Sequence, residues 1–296
     1  MNKYDLVIVG AGAAGMLCAV NAKKHGIQRV LIIDKDPVLG GSLNGCTYTI
    51  DKDRKITGNQ YLAELTEEFK KHDIKVLLNT MVLKIDEHGS AVCLNSTEGL
   101  HKIVAKNIIL CNGAKEKGRN SIAVTGDRCA GILNVTMAKK IFAMNMIPGK
   151  NILFCGDDGI KRIINEIKKS NVNVVGVVGE NSYGLTDNIF NGYEISRING
   201  RGRVEEAILT KGDEALKVKC DTVIFAYARI SDGIVAMRSG IDLNPLTTGP
   251  RVDKNYMTSR ENIYACGDGI FIHEYIDDIE NECENLIRFV FDSNCK

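Results

Sequence analysis

Three glycines with a fixed spacing constrain the fold of this chain more than any other feature. Gly10, Gly12 and Gly15 form a G-x-G-x-x-G run directly after the apolar residues 4–9. A helix-like apolar pattern follows and stops near His25, and a second apolar segment ends at Asp34, nineteen positions beyond Gly15. This succession of strand, glycine turn, helix, strand and acid predicts a βαβ unit that binds a dinucleotide.

Each residue of this fingerprint has a physical reason to be there. Gly10 permits the tight turn, Gly12 removes the side chain that would block a pyrophosphate, and Gly15 lets the helix approach the strand. The helix N-terminus offers free N–H groups and a positive dipole end to the phosphates. Asp34 is expected to accept hydrogen bonds from an adenosine ribose. The fingerprint alone does not separate FAD from NAD.

The same arrangement recurs along the chain, which indicates more than one such unit. Residues 151–155 and 174–178 repeat the pattern of apolar strand, glycine-containing turn, helix and apolar strand. Residues 107–110 and 263–266 are further apolar strands, and a helix is expected from about Asp277. Strands that are apolar on both faces are typical of a covered parallel sheet. We therefore expect an α/β fold of two Rossmann-like dinucleotide-binding domains, one formed by residues 1–115 and 241–296 and the second, residues 116–240, inserted in it.

Composition excludes several classes of protein. Apolar residues make up 44% and charged residues 25% of the 296 residues, and the formal charge is +1, which argues against nucleic acid as a partner. No stretch approaches the roughly 18 apolar residues that span a bilayer. The ten cysteines are scattered without a C-x-x-C pair. This predicts reduced thiols in the cytoplasm and no metal site.

Three further motifs carry a resemblance to a known family. With Gly40 and Gly41 after Asp34, with residues 109–114, and with the segment 264–268, the sequence resembles two-domain flavoproteins of the pyridine nucleotide-disulfide oxidoreductase type. The resemblance implies an FAD/NAD(P)-binding fold with FAD in the N-terminal domain. The residues implied to bind it are Gly10, Gly12, Ala13, Ala14, Gly15, Asp34, Lys35, Gly40, Gly41, Val82, Gly113, Gly267 and Asp268.

Within that family the chain looks most like a narrower branch, on the residues 114–117, 126–132, 148–150 and 249–253. That branch contains FAD-dependent subunits of heteromeric amine and amino-acid dehydrogenases, of the sarcosine oxidase alpha, opine oxidase and cyanide synthase types, and subunits linked to glycerol 3-phosphate oxidation. The resemblance implies hydride transfer from a small donor to flavin, and a second subunit that exchanges electrons with it.

The sequence departs from the family in two places. The nearest equivalent of a redox-active dithiol is Cys129 followed by Ala-Gly-Ile, so a disulfide reductase mechanism is not expected. In the second domain, aligning residues 156–159 with the last four positions of the fingerprint puts Phe154 in place of the first glycine, and Asp157 and Asp158 would repel a pyrophosphate. Glu180 could serve a ribose, but NAD(P) binding is expected to be weak or lost.

No acid–base pair stands out, so the catalytic residues are left unassigned; His273 and Asp277 follow the Gly267-Asp268 motif and could lie near a flavin. The leading hypothesis is an FAD-dependent oxidoreductase subunit that oxidises a small amine, amino acid or hydroxylated metabolite. One alternative is a stand-alone NAD(P)H-dependent flavoprotein reductase. Another is a flavin-binding structural subunit without turnover of its own.

Overall fold

The computed structural model describes residues 3–117 and 122–292, and it divides the chain into two compact units. Unit 1 consists of Met1–Lys115 and Ile230–Lys296, and unit 2 of Glu116–Arg229. Cys295 lies outside the described residues. No helix among the described residues is both long and apolar enough to cross a bilayer.

Unit 1 opens with alternating strands and helices and continues into an antiparallel meander. The elements are β1 (Lys3–Val9), α1 (Ala13–Lys24), β2 (Val30–Ile33), α2 (Gly58–Lys70), β3 (Lys75–Leu77), β4 (Met81–Ile85), β5 (Ser90–Asn95), β6 (Gly99–Leu110) and β7 (Ala114–Glu116). The start of α2 is specified locally, because Thr57 and Gln60 form a capping box in which each side chain bonds to the other's backbone N–H.

Unit 2 contains shorter elements. They are β8 (Thr125–Gly126), β9 (Ile132–Asn134), α3 (Val135–Ala143), β10 (Asn151–Cys155), α4 (Ile164–Lys169), β11 (Asn173–Val178), β12 (Glu194–Asn199), β13 (Glu206–Lys211), β14 (Glu214–Lys219) and β15 (Thr222–Phe225). The chain then returns to unit 1 within β16 (Arg229–Ser231) and completes it with α5 (Ile234–Arg238), β17 (Ile263–Ala265) and α6 (Ile276–Asp292).

The main sheet of unit 1 has the order β3-β2-β1-β6-β5-β4, and β17 also pairs with β6. The strands β3, β2, β1, β6 and β17 are parallel, whereas β5 is antiparallel to β6 and β4 is antiparallel to β5. Leu6, Val7 and Ile8 are all fully buried, as a strand covered on both faces requires. The parallel order places the ends of β1, β2, β6 and β17 along one edge, where ligands bind in such sheets.

Two buried clusters lie on the faces of this sheet. One contains residues of α1 and α6, among them Met16 and Leu286, which are fully buried. The other contains Val235 of α5 together with strand residues such as Leu31 and Ile108. Packing against the sheet therefore buries apolar residues of α1, α5 and α6.

Unit 2 is built on a four-stranded parallel sheet of order β11-β10-β15-β9. A second sheet has the order β14-β13-β12-β8, with β12, β13 and β14 antiparallel and β8 parallel to β12. The predicted repeat of strand, turn, helix and strand is present, because β10 and β11 are parallel neighbours joined through α4.

The return to unit 1 differs from the expectation. The sequence predicted it at residue 241, but the chain returns at Ile230. Residues 230–240 belong to unit 1 because α5 places Val235 and Ala236 in the same buried cluster as the strands of the main sheet.

Candidate functional site

The glycines of the fingerprint bring α1 close to two strands. Gly10 has φ +111°, and a Cβ there would lie 2.1 Å from the carbonyl oxygen of Cys111. A Cβ on Gly15 would lie 1.9 Å from the carbonyl oxygen of Gly10. Both positions therefore require glycine for the approach of backbone to backbone, as the fingerprint predicts.

Gly12 is different, because a Cβ added there would not collide with the backbone. A Cβ there would meet only the Cα of Gly41, at 4.0 Å. Gly41, φ +51°, approaches from the opposite side, where its own Cβ would lie 3.0 Å from the Cα of Gly12. Gly12 is the N-cap of α1 and its helix has no acidic residue in the first turn, so the N-terminal N–H groups face a gap with a positive dipole end.

Asp34 lies at the end of β2, directly beside this turn. One carboxylate oxygen accepts a hydrogen bond from the backbone N–H of Ala11 at 2.5 Å, and the other accepts one from Asp36 at 2.8 Å. Each oxygen keeps a second lone pair that can accept a hydroxyl. The side chain is thus held in place by the turn and can still bind a ribose.

The late Gly267-Asp268 motif reaches the same region from the other end of the chain. A Cβ on Gly267, φ +69°, would lie 2.6 Å from the Cβ of Ala14 in the first turn of α1. A Cβ on Gly269 would lie 3.5 Å from the backbone nitrogens of Asn112 and Gly113. Segments more than 150 residues apart in sequence therefore meet at one edge of the sheet.

The remaining predicted residues lie around this edge. The backbone N–H of Gly40 donates to the carbonyl oxygen of Ala11 at 2.8 Å, and Lys35 is exposed beside Asp34. Val82 is different, because its side chain is buried in β4 among core residues. The backbone just before β4 nevertheless reaches the site, since the N–H of Thr80 donates to the carbonyl oxygen of Asp34 at 2.9 Å.

A histidine lies between two carboxylates after β17. His273 Nδ1 is 3.3 Å from Asp268 Oδ1, and its Nε2 is 3.7 Å from Glu282 Oε2. Glu282 also accepts a hydrogen bond from the backbone N–H of Gly267 at 2.6 Å. Both ring nitrogens face carboxylates and the side chain is only 11% exposed. This geometry favours a structural role, in which His273 and Glu282 hold the Gly267-Asp268 turn in place as a clamp, over direct acid–base contact with a substrate.

The electrostatics of this group follow from its burial. Burial raises the pKa of Glu282 to about 7. Burial opposes protonation of His273, but its bond to Asp268 and the charge of Glu282 outweigh this and raise its pKa. Asp277, the other residue suggested near a flavin, lies instead beside Arg54, 3.8 Å from its guanidinium.

The residues around the edge of the sheet fit FAD. The gap in front of Gly12 is the cradle that a side chain would fill, and the acid needed for a ribose stands at the end of β2. The Gly267-Asp268 turn abuts the first turn of α1, so both ends of an extended dinucleotide can be addressed from one surface.

The equivalent turn in unit 2 corrects the alignment made from the sequence. The backbone N–H of Gly156 donates to Val178 O at 2.8 Å, just as that of Gly10 donates to Ile33 O at 2.8 Å. Gly156 also has a positive φ, +85°. Gly156 is therefore the first glycine of the second motif, and Phe154 is a fully buried residue of β10 rather than its replacement.

With this register, the second motif departs from the fingerprint at its second and third glycines and not at its first. Counting from Gly156, Asp158 stands where unit 1 has Gly12, and Lys161 stands where it has Gly15. A long helix does not start here: a 3₁₀ turn spans Ile160–Arg162, and α4 has only six residues. The negative side chain and the missing helix N-terminus both oppose a pyrophosphate.

Asp157 has a structural role that the sequence did not predict. Its Oδ2 accepts hydrogen bonds from the backbone N–H groups of Glu180, at 2.8 Å, and Asn181, at 2.9 Å. In unit 1, Asp34 at the end of β2 accepts a hydrogen bond from the turn after β1. In unit 2 the direction is reversed, because Asp157 in the turn after β10 accepts hydrogen bonds from the loop after β11. Glu180 is exposed in that loop.

A cavity of about 710 Å³ opens elsewhere in unit 1, lined in part by Lys84, His88, Lys102 and Arg260. None of its lining residues belongs to the predicted cofactor site. The guanidinium of Arg260 donates to backbone carbonyl oxygens, including that of Ile85 at 2.9 Å. Arg260 is therefore committed to joining chain segments and not available for a ligand.

Comparisons with known proteins identify the group to which these features belong. The family described as pyridine nucleotide-disulphide oxidoreductase matches residues 4–176. The soluble pyridine nucleotide transhydrogenase of Chromohalobacter salexigens is 21% identical over 319 residues, which cover 91% of this chain and 67% of that protein. The sarcosine oxidase subunit alpha of Rhizobium meliloti is 25% identical over 230 residues, which cover 72% of this chain and only 22% of that subunit.

The fold matches a solved thioredoxin reductase. The enzyme from T. acidophilum superposes with a TM-score of 0.79 and covers 100% of both chains, at 20% sequence identity. The two-domain α/β architecture expected from the sequence is thereby confirmed. This likeness shows the fold alone. The C-x-x-C pair expected for a dithiol mechanism is absent from this sequence.

Proposed function

Because the chain belongs to the pyridine nucleotide-disulphide oxidoreductase family and is an FAD-dependent oxidoreductase, we propose that it oxidises a small amine, amino acid or hydroxylated metabolite as one subunit of a complex. Bound FAD supplies the hydride acceptor for this reaction. The residues of unit 1 hold and orient it, and unit 2 does not deliver NAD(P)H. The observation that carries the proposal is Asp158 in the position of Gly12.

The proposed cofactor residues divide by the part of FAD they serve. Gly10, Gly12 and the first turn of α1 with Ala13 and Ala14 bind the pyrophosphate through backbone N–H groups. Asp34 accepts hydrogen bonds from the adenosine ribose. The Gly267-Asp268 turn, with Gly113 beside it, binds the ribityl and phosphate portion. Gly40, Gly41, Lys35 and the backbone of Val82 border the adenosine.

His273 is proposed as a positioning residue. Its contacts with Asp268 and Glu282 hold the carboxylate of Asp268 in one orientation, and that carboxylate is the group proposed to bind the ribityl chain. The raised pKa of His273 favours its protonated form, in which the ring places positive charge between the two acids and reduces their mutual repulsion.

The absence of a dithiol supports a donor other than a disulfide. The only cysteine near the family's expected position is Cys129, and it has no second cysteine within three residues. Among the described residues, nine cysteines are free, and eight of these are buried. Free thiols in this number also support a reducing compartment, and we propose the cytoplasm.

Sarcosine oxidase subunit alpha supports the substrate class, because its name assigns it an N-methylated amino acid and other subunits. This chain spans about two thirds of the transhydrogenase and about a fifth of the sarcosine oxidase subunit. Because the sarcosine oxidase relative is named as a subunit, we propose that a second polypeptide accepts the electrons of this chain.

A second candidate function is an NAD(P)H-dependent reductase that acts alone. The transhydrogenase relative favours it, because that protein is named for pyridine nucleotides and matches 91% of this chain. A structural, flavin-binding subunit is the third possibility. It would bind FAD by the same residues and turn over no donor.

Steady-state turnover with an artificial electron acceptor separates these candidates. The purified holoprotein is assayed with sarcosine, a panel of amino acids, glycerol 3-phosphate, NADH and NADPH, with and without the proteins that co-purify with it. We expect acceptor reduction with a small donor and not with NADH. Fast turnover with NADH would support the reductase instead, and no turnover with any donor in the presence of the co-purifying proteins would support the structural subunit.

A further inference from the structure

Four buried cysteines of unit 1 meet behind the proposed FAD site. Cys18 lies in α1, Cys111 follows β6, Cys266 follows β17, and Cys283 lies in α6. The Sγ of Cys266 is 3.5 Å from that of Cys18, 3.6 Å from that of Cys111 and 3.9 Å from that of Cys283. We refer to these residues as the four-thiol cluster.

The cluster has the donor set of a metal site. The sulfur atoms of Cys18, Cys266 and Cys283 all lie within 4.8 Å of one another, and the sulfur of Cys111 lies 3.6 Å from that of Cys266. A tetrahedral Zn²⁺ site with Zn–S bonds of about 2.3 Å separates its sulfurs by about 3.8 Å. The distances from Cys266 Sγ to the other three sulfurs, 3.5, 3.6 and 3.9 Å, bracket that value.

Other buried cysteines in unit 1 behave differently. The thiol of Cys46 donates to the carbonyl oxygen of Tyr48 at 3.7 Å, and that of Cys93 donates to the carbonyl oxygen of Ala91 at 3.6 Å. These thiols pack singly and bond within their own segment, as small apolar residues do. The cluster instead draws its thiols from four separate elements towards one point.

We propose that the four-thiol cluster binds one thiophilic divalent metal ion of the Zn²⁺ type. Soft thiolate ligands select such ions over Mg²⁺ or Ca²⁺. The sulfurs of Cys18, Cys266 and Cys283, mutually within 4.8 Å, leave room for a single ion, whereas an iron–sulfur cluster distributes its cysteines over several irons. Binding converts thiols to thiolates and releases up to four protons to solvent, without any change of oxidation state.

The ion would brace the cofactor site rather than react in it. Cys18 lies on the helix that begins after Gly12, and Cys266 immediately precedes Gly267. The Sγ of Cys283 is 3.5 Å from the carbonyl oxygen of Ala14, in the first turn of α1. One ion therefore joins α6 to α1 and to the segments after β6 and β17, all three of which contribute to the proposed FAD site, and its loss should loosen them together.

Titration with Co²⁺ tests the proposal, because Co²⁺ held by thiolates absorbs at longer wavelengths than flavin. The holoprotein is purified under reducing conditions, stripped of metal with a chelator and titrated anaerobically, and bound metal is counted by elemental analysis. We expect one ion per chain, the thiolate–Co²⁺ bands, displacement of Co²⁺ by Zn²⁺, and a rise in the melting temperature on binding.

Matched variants locate the ion. Cys266→Ala and Cys283→Ala should abolish the Co²⁺ bands, whereas Cys93→Ala, which removes an equally buried thiol of unit 1 outside the cluster, should retain them. FAD content and melting temperature report whether each variant folds. If the wild-type protein gives no thiolate–Co²⁺ bands, or if folded Cys266→Ala binds the ion as the wild type does, the proposal is wrong and the four cysteines only fill the core.

Discussion

Glycines of the same motif serve different purposes in this protein. A side chain on Gly15 would collide with the carbonyl oxygen of Gly10, whereas a side chain on Gly12 would project into open space. The first position is therefore required by the fold, and the second is required only by the ligand. This difference separates cofactor binding from folding experimentally.

Gly12→Leu should abolish FAD binding and leave the melting temperature of the FAD-free protein nearly unchanged. Gly15→Leu should lower that melting temperature strongly, because the close contact with Gly10 forces α1 away from the sheet. The measurements are FAD released on denaturation and thermal unfolding of FAD-free protein, with Val38→Ala, an exposed site, as control. Full FAD content in Gly12→Leu would contradict the assigned site.

Asp34→Ala should weaken FAD binding by about 10- to 100-fold, the effect of losing a hydrogen-bond acceptor worth about 1 to 3 kcal/mol. The substitution also removes the acceptor of the Ala11 N–H. Fluorescence quenching of added FAD measures the dissociation constant, and Asp36→Ala, two residues further on, provides the comparison. Equal affinities in the two variants would show that Asp34 does not bind the ribose.

At the scale of elements, the contact between α6 and the turn after β17 should depend on pH. Glu282 has a pKa of about 7 in the folded protein, above its ordinary value of 4.5, so the folded state holds more protons than the unfolded state between these values. The pKa of His273 is also raised above 6.5, and the stability it contributes is lost as pH rises through that raised value. Glu282 therefore makes stability fall as the pH rises from about 4.5 to about 7, and His273 adds a further fall above pH 6.5.

Glu282→Gln should remove most of the pH dependence that Glu282 contributes to the free energy of unfolding, about 2 kcal/mol over that range. Denaturant unfolding at several pH values measures it. Glu284→Gln is the matched control, since Glu284 is exposed on the same helix and pairs only with Arg288 among the contacts described. A pH profile unchanged by Glu282→Gln would mean that its carboxyl group titrates normally.

The turn after β10 makes a second prediction at this scale. Asp158→Gly should increase affinity for NADH, because it restores the residue type of Gly12 and removes a repelling charge. Phe154→Gly should instead destabilise unit 2 by about 3 to 5 kcal/mol, because it empties a fully buried position. Calorimetric titration and thermal unfolding measure the two effects. Weaker NADH binding by Asp158→Gly would contradict the assigned register.

The sequence predicted the helices and strands well and the turns between them less well. The bounds of α1 and α2 follow from glycine, capping and apolar spacing, which are local signals. The register of Gly156 did not, because an apolar strand can be shifted by two residues without changing its pattern, and only the hydrogen bond to Val178 fixes it. The clamp around His273 and the four-thiol cluster join positions too distant in sequence for any spacing rule to reveal.

At the scale of the whole molecule, we propose that unit 1 binds the cofactor, and we expect no cysteine to take part in the redox reaction. Burial raises the pKa of Cys93 and of Cys220 to about 12, so neither supplies a thiolate at neutral pH. Cys129 has no second cysteine within three residues, so Cys129→Ala should leave donor-driven turnover unchanged, as should alkylation of accessible thiols. Loss of turnover in Cys129→Ala with FAD still bound would show that a thiol takes part.

The central claim is that the FAD of this protein receives hydride from a small donor and not from NAD(P)H. Anaerobic mixing of the holoprotein with NADH or NADPH, followed by the visible absorbance of the flavin, tests it most directly. The account predicts that the flavin remains oxidised with either nucleotide, and that calorimetry under the same conditions detects weak binding or none. Rapid and complete bleaching by micromolar NADH or NADPH would contradict the claim and make the protein a nucleotide-dependent reductase.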